Sequence, residues 1–228
     1  MFGPAPQMPD PLLAYCDAAH ARSIEIDIRW RPAKRAYRAT LCFLYGRVGG
    51  EAVKSPVETG EAAAIIAALG LVPHPKEGGW FRETYRSGEA LPAPALAARY
   101  GGPRAAATAI YYLLTPSTYS ALHRLASDEV FHFYAGDAVE QLRLFPDGRG
   151  EIATIGSDLA AGQRPQVLVP RGVWQGARLA PGGRYALLGC TVAPGFDYAD
   201  YESGDGASLA AAYPAFAARI AALAPAAR

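Results

Sequence analysis

Between Trp80 and Val192 the chain breaks into short apolar runs separated by turn signals, with no helical periodicity between them. Strands are expected at 80–86, 104–114, 119–124, 129–134, 138–145, 151–155, 166–169, 174–179 and 184–192. Pro146-Asp147-Gly148, Pro170-Arg171-Gly172 and Pro181-Gly182-Gly183 supply turns. Parallel strands need long crossovers, usually helical, so this spacing implies an antiparallel sandwich or barrel. Helices are expected only at the flanks. Ser55-Pro56-Val57-Glu58 has the capping-box pattern, with Thr59 as an alternative cap, and leads into an alanine-rich run that stops at Gly70. A tail helix is expected over 208–224, with Tyr213, Phe216 and Ile220 on the face that packs on the barrel exterior.

Residues 1–54 read as an extension. Ile24, Ile26, Ile28 and Trp30 alternate with polar residues as a strand would, yet the segment carries no chemical motif. A net charge of +1, with scattered basic residues, supplies no field to attract nucleic acid or an acidic membrane. No apolar run approaches the ~20 residues that span a bilayer, and the N-terminus lacks the pattern of a signal peptide. Cys16, Cys42 and Cys190 are too scattered for a disulfide framework or a metal knuckle. Reduced thiols and a cytoplasmic location are therefore expected, with Cys190 in the core.

Chemistry concentrates in SALHRLASDEVFHFYAG, Ser120 to Gly136, which places His123, Asp128, Glu129 and His132 within ten positions. Imidazole and carboxylate are the side chains that carry protons near neutral pH and that bind metals. Strand parity sets Glu129 and His132 on opposite faces, so if Glu129 faces inward His132 faces out unless a bulge intervenes. Asp128 is expected in the adjoining turn.

This segment resembles the first motif of the cupin superfamily, G-x5-H-x-H-x3/4-E-x6-G. His123 fills the first histidine slot, Glu129 the glutamate and Gly136 the final glycine, while Leu125 takes the second histidine slot and Ser117 the leading glycine. In the second motif, P-x-G-x2-H-x3-N, Pro170 and Gly172 match, whereas Gln175 replaces the histidine and Leu179 the asparagine. LGLVPHPKEGGWFRETYRS at 69–87, LHRLASDEVFHFYAGD at 122–137 and APGFDYADYE at 193–202 further resemble the cupin subfamily DUF985 (cupin-5). The resemblance implies an all-β double-stranded β-helix, or jelly-roll barrel, over residues 55–228 with flanking N- and C-terminal helices, and a homodimer paired through sheet edges.

It also implies epimerase-like chemistry, because such barrels resemble those of nucleotide-sugar epimerases. His123 is then the general base, with Glu129 assisting. Trp80, Arg82, Glu83, His132, Trp174 and Gln175 are candidate ligand-binding residues. Those epimerases pair the base with a tyrosine acid, and Gly189 stands in that position here. They also hold phosphates with an arginine, whose place is taken by Gly78 in EGGWFRE; Arg82 substitutes only if its strand directs it inward. No cofactor is expected. A metal would have only His123 and Glu129 of the usual cupin ligands, helped by Gln175 or His132. The expected partner is a small polar ligand, such as a sugar or nucleotide sugar, and proton-transfer isomerisation is the leading activity. A non-catalytic ligand-binding cupin and a metal-dependent oxygenase or isomerase are the alternatives.

Overall fold

A computed structural model describes residues 58–224; the extension at 1–54 and the Ser55 cap lie outside the described residues. Helix α1 (Gly60–Leu69) starts behind Thr59, the alternative cap position, and closes at Gly70. The strands follow: β1 (Val72–Pro73), β2 (Trp80–Arg86), β3 (Ala90–Leu91), β4 (Arg104–Ala105), β5 (Thr108–Leu114), β6 (Ser120–Leu125), β7 (Asp128–Gly136), β8 (Val139–Leu144), β9 (Gly150–Ile155), β10 (Gln166–Val169), β11 (Trp174–Leu179), β12 (Ala186–Ala193) and β13 (Tyr201–Ser203). Helices α2 (Gly206–Ala212) and α3 (Ala217–Leu223) end the described chain.

Two antiparallel sheets face each other, in the orders β1-β2-β5-β12-β7-β10 and β13-β6-β11-β8-β9, with β3-β4 as a separate ribbon. From β5 to β12 the chain passes repeatedly from one sheet to the other, as a jelly roll requires. The core between the sheets takes Tyr112, Leu114, Phe131, Leu188 and Cys190 from the first, and Val139, Ile155, Ala177 and Leu179 from the second. The second sheet is also covered outside, where Leu122, Leu142 and Leu144 pack against Leu209, Ile220 and Leu223 of α2 and α3. Alternate residues of β8 thus find apolar surroundings on both faces, which explains its burial along nearly its whole length.

The tail is not the single helix that the alanine-rich pattern implies. It breaks at Tyr213, whose φ of −128° and ψ of 66° leave the helical region. Pro214 is the cause: it lacks an N–H and its ring crowds the preceding residue out of the α conformation. The expected face nevertheless forms, with Ile220 fully buried and Tyr213 and Phe216 packed beside it. Among the described residues no helix is long and apolar enough to cross a membrane.

One connection positions the site. The loop 74–79 between β1 and β2 folds back across an end of the barrel. His74 N–H donates to Gly79 O at 3.0 Å, and Ala121 N–H on β6 donates to Glu77 O at 2.7 Å. Tyr112 Oη on β5 donates to Gly78 O at 2.8 Å. Gly78 holds φ at +85°, and a Cβ there would lie 2.6 Å from the backbone oxygen of Tyr119. Only glycine meets both demands without strain. Gly78→Ala is expected to cost about 1–3 kcal/mol, read as a lower urea midpoint at unchanged slope.

Candidate functional site

A cavity of about 360 Å3 opens beside this loop. Its buried lining includes His74, Leu125, Glu129 and Cys190; its exposed lining includes Glu83, Arg86, Asp197 and Tyr198. Glu77 lies between these extremes, with 14 % of its side chain accessible.

His123 stands behind this lining, with only 1 % of its surface accessible. Strands β11 and β13 flank it, and its ring stacks on Tyr201 at 5.2 Å. Nδ1 lies 2.8 Å from Ala121 O. A carbonyl can only accept, so Nδ1 carries the hydrogen and the neutral ring presents a lone pair at Nε2. That atom lies 3.8 Å from Glu77 Oε1. His74 has the opposite tautomer. Its Nδ1 accepts the Glu77 N–H at 2.9 Å, which leaves Nε2–H facing Glu77 Oε1 at 3.7 Å. The Glu77 carboxyl is thus flanked by one imidazole donor and one imidazole acceptor.

Burial governs the charges. It pushes the Glu77 carboxyl up to about 8, against a smaller opposing pull from the Ser120 hydroxyl. It pushes Glu129 up to about 7, helped by Glu77 and opposed by His123, Gln175 and Cys190. It lowers His74 to about 4, with His123 and Lys76 adding repulsion. His123 is also lowered, chiefly by burial, with Glu129 and the Ala121 carbonyl pulling the other way. At neutral pH both rings are uncharged, Glu77 is largely protonated and Glu129 is partly so.

Glu129 leans on a line of amides. Gln175 Nε2 donates to Glu129 Oε2 at 2.6 Å, and Gln141 Nε2 donates to Gln175 Oε1 at 3.3 Å. Arg124 and Arg143 do not pair with Glu129: they hold Glu202 and Glu151 respectively. This arrangement does not fit the cupin metal set. Leu125 presents hydrocarbon where the second histidine would stand, and Gln175 turns its amide nitrogen to Glu129 while its oxygen accepts from Gln141. Among the described residues no three histidine, cysteine or acidic side chains are grouped to hold a metal.

The structure brings His123, Glu129 and Gln175 together and places Glu83 at the mouth. The other four expected ligand contacts lie elsewhere. Arg82 points out of the barrel and donates to Leu69 O at 2.8 Å, so it cannot replace the missing phosphate-binding arginine. Trp80 packs with the cluster under α1. Trp174 packs with the α2–α3 cluster, and its ring lies 4.4 Å from the Arg124 guanidinium. His132 lies on the outer face, 3.1 Å from Thr191 and stacked on Tyr134, as parity with Glu129 requires. Gly189 also faces outward, where a Cβ would meet the Tyr134 hydroxyl, so a tyrosine there would not reach the cavity. Asp128 is not in the adjoining turn as expected: it opens β7, paired with Ala193 of β12, and its carboxylate accepts from Arg171 N at 2.8 Å. Sequence reasoning missed His74 and Glu77. Their signal was an H-x-x-E spacing immediately before Gly78-Gly79, inside a stretch already tied to the cupin-5 pattern.

Comparison with known proteins agrees with the fold. Residues 63–204 match the family described as the cupin superfamily (DUF985). Protein SO0799 from Shewanella oneidensis is 36% identical, with 73% of this chain and 99% of that one covered and a TM-score of 0.64. A hypothetical protein from Leishmania major is also 36% identical, with 72% and 98% covered and a TM-score of 0.63. The uncharacterized protein YML079W of Saccharomyces cerevisiae is 29% identical over 157 residues, 65% of this chain and 78% of that protein. With a family match over more than half its length and two relatives matched over nearly their whole length, the chain belongs to the cupin superfamily, in the DUF985 family.

Proposed function

We propose that the cavity binds a small polar ligand and moves a proton on it, an isomerase- or epimerase-like reaction run by the chain's own side chains. Glu129, with the lower pKa, is the base and Glu77 the acid. His123 is a positioning residue that acts through them, since it does not line the cavity. One observation carries this reading: two carboxyls on a single ligand-sized cavity are held near neutrality at different values, with the imidazole tautomers around them fixed by backbone hydrogen bonds. A non-catalytic binding pocket is the second reading. It is favoured by the cavity walls, where Phe81, Phe196 and Tyr198 set aromatic surface beside a few polar anchors, an arrangement that suits binding without reaction. A cytoplasmic homodimer completes the proposal, in keeping with the unpatterned cysteines and with Tyr85, Tyr134 and Leu168 exposed on strands of the first sheet.

The test is proton exchange. Aldoses and ketoses are incubated with the protein in heavy water and followed by proton NMR. Wild-type protein is expected to wash out one carbon-bound proton, and Glu129→Gln to slow this at least ~100-fold. Washout that survives in Glu129→Gln removes it as the base; binding with no washout from any sugar leaves the binding-only reading.

The rate should follow a narrow bell between the two carboxyl pKa values, about 7 and about 8.

Stability should carry the same signature. A carboxyl raised on folding contributes stability below its unfolded pKa and loses it as pH rises through the folded one, here from 4.5 to about 8. Glu77→Gln stays neutral throughout. It should be more stable than wild type at pH 8.5, on the order of 4 kcal/mol, with no gain at pH 4.5, as read from urea unfolding at both values.

A further inference from the structure

The charge at the cavity mouth bears on the class of ligand. Four carboxyls line the cavity, those of Glu77, Glu83, Glu129 and Asp197, against the single guanidinium of Arg86. That guanidinium is already engaged. Its Nε and Nη2 donate to the two oxygens of Glu83 at 3.0 and 2.7 Å, and Nη1 and Nη2 both reach Phe196 O at 3.3 Å. His74, the other basic side chain of the lining, is neutral near pH 7. The Lys76 ammonium lies over the rings of Tyr198 and Tyr201, 4.9 and 5.1 Å from their centres. An entering phosphate would therefore meet Asp197 and the ionised form of Glu129, with no guanidinium free to fork onto it.

The same lining suits hydroxyl groups. Glu129, Asp197 and the ionised form of Glu77 accept hydrogen bonds, and the His123 lone pair lies behind Glu77. Phe81, Phe196 and Tyr198 provide aromatic surface. Such walls, with a few polar anchors in a space of about 360 Å3, accommodate one sugar ring.

We propose that the cavity takes an uncharged, hydroxyl-rich ligand of monosaccharide size, and that Glu83, by occupying Arg86, keeps phosphorylated and nucleotide-linked sugars out. This rests on the cavity being the ligand site, and not on whether the ligand reacts there. Glu83 is thus a specificity residue rather than a catalytic one. Its pairing with Arg86 converts the place where a phosphate clamp could form into a closed ion pair beside Asp197.

The test uses saturation-transfer NMR with glucose, galactose, mannose and fructose, each beside its phosphate ester, on wild type, Glu83→Gln, and Glu83→Gln combined with Arg86→Gln. Circular dichroism and melting temperature report folding. Wild type is expected to give signal from at least one free sugar and none from its phosphate. Glu83→Gln, which releases Arg86, should bind that phosphate at least ~10-fold more tightly than wild type, and the double variant should lose the gain. The proposal is overturned if wild type binds the phosphates as well as the free sugars, if none of the free sugars binds, or if folded Glu83→Gln gains nothing. Sugar binding without proton washout would sink the catalytic reading and leave this one standing; washout confined to a phosphorylated sugar would do the reverse.

Discussion

The Ala121 N–H to Glu77 O hydrogen bond, at 2.7 Å, fastens the loop 74–79 to β6 across the end of the barrel. The site depends on that attachment. With the Gly78-Gly79 turn and the Tyr112 hydroxyl, it brings His74 and Glu77 of one connection against His123 of one sheet and Glu129 of the other. Backbone groups then set the chemistry. The Ala121 carbonyl fixes one imidazole tautomer and the Glu77 amide fixes the other. A main-chain carbonyl or amide cannot exchange its role, so each ring is oriented whether or not a ligand is present.

Burial then decides which charges exist. A carboxylate away from water is costly unless it is paired, and no arginine or lysine pairs with Glu77 or Glu129 among the described residues. Neutral hydrogen bonds from Gln175 and Ser120 offset only part of the cost, so both carboxyls keep protons into the neutral range. Arg104 and Asp200 take the other course: both are nearly buried, with Nη2 2.6 Å from Oδ1, and they pair as full charges. The Arg104 pair locks structure, whereas the cavity carboxyls are left able to gain and lose protons.

Much of the barrel was legible because strand parity and turn residues act locally. The expected strands at 80–86, 166–169 and 174–179 coincide with β2, β10 and β11. Parity alone separated Glu129 from His132. The tail was misread where a single residue outweighed a pattern, since the alanine run favours helix and Pro214 forbids its continuation. Arg82 shows the limit of parity. Alternation says that Arg82 and Glu83 face opposite ways, and the sequence does not say which way is inward. The contacts settle it, with Arg82 bonded outside to Leu69 O and Glu83 at the cavity mouth.

Periodicity, turn chemistry and the cupin-like spacing of His123, Glu129 and Gly136 were enough for the sequence to determine an antiparallel jelly roll with flanking helices. These are local signals, readable within a few residues. The company of His123 was decided only by the tertiary structure. Glu77 lies 46 positions from His123 and Gln175 lies 46 from Glu129. Whether Gln175 is a metal ligand or a hydrogen-bond donor, whether Arg86 is open or held by Glu83, and whether a carboxyl is charged all depend on which groups meet across the barrel and how much water they lose in meeting.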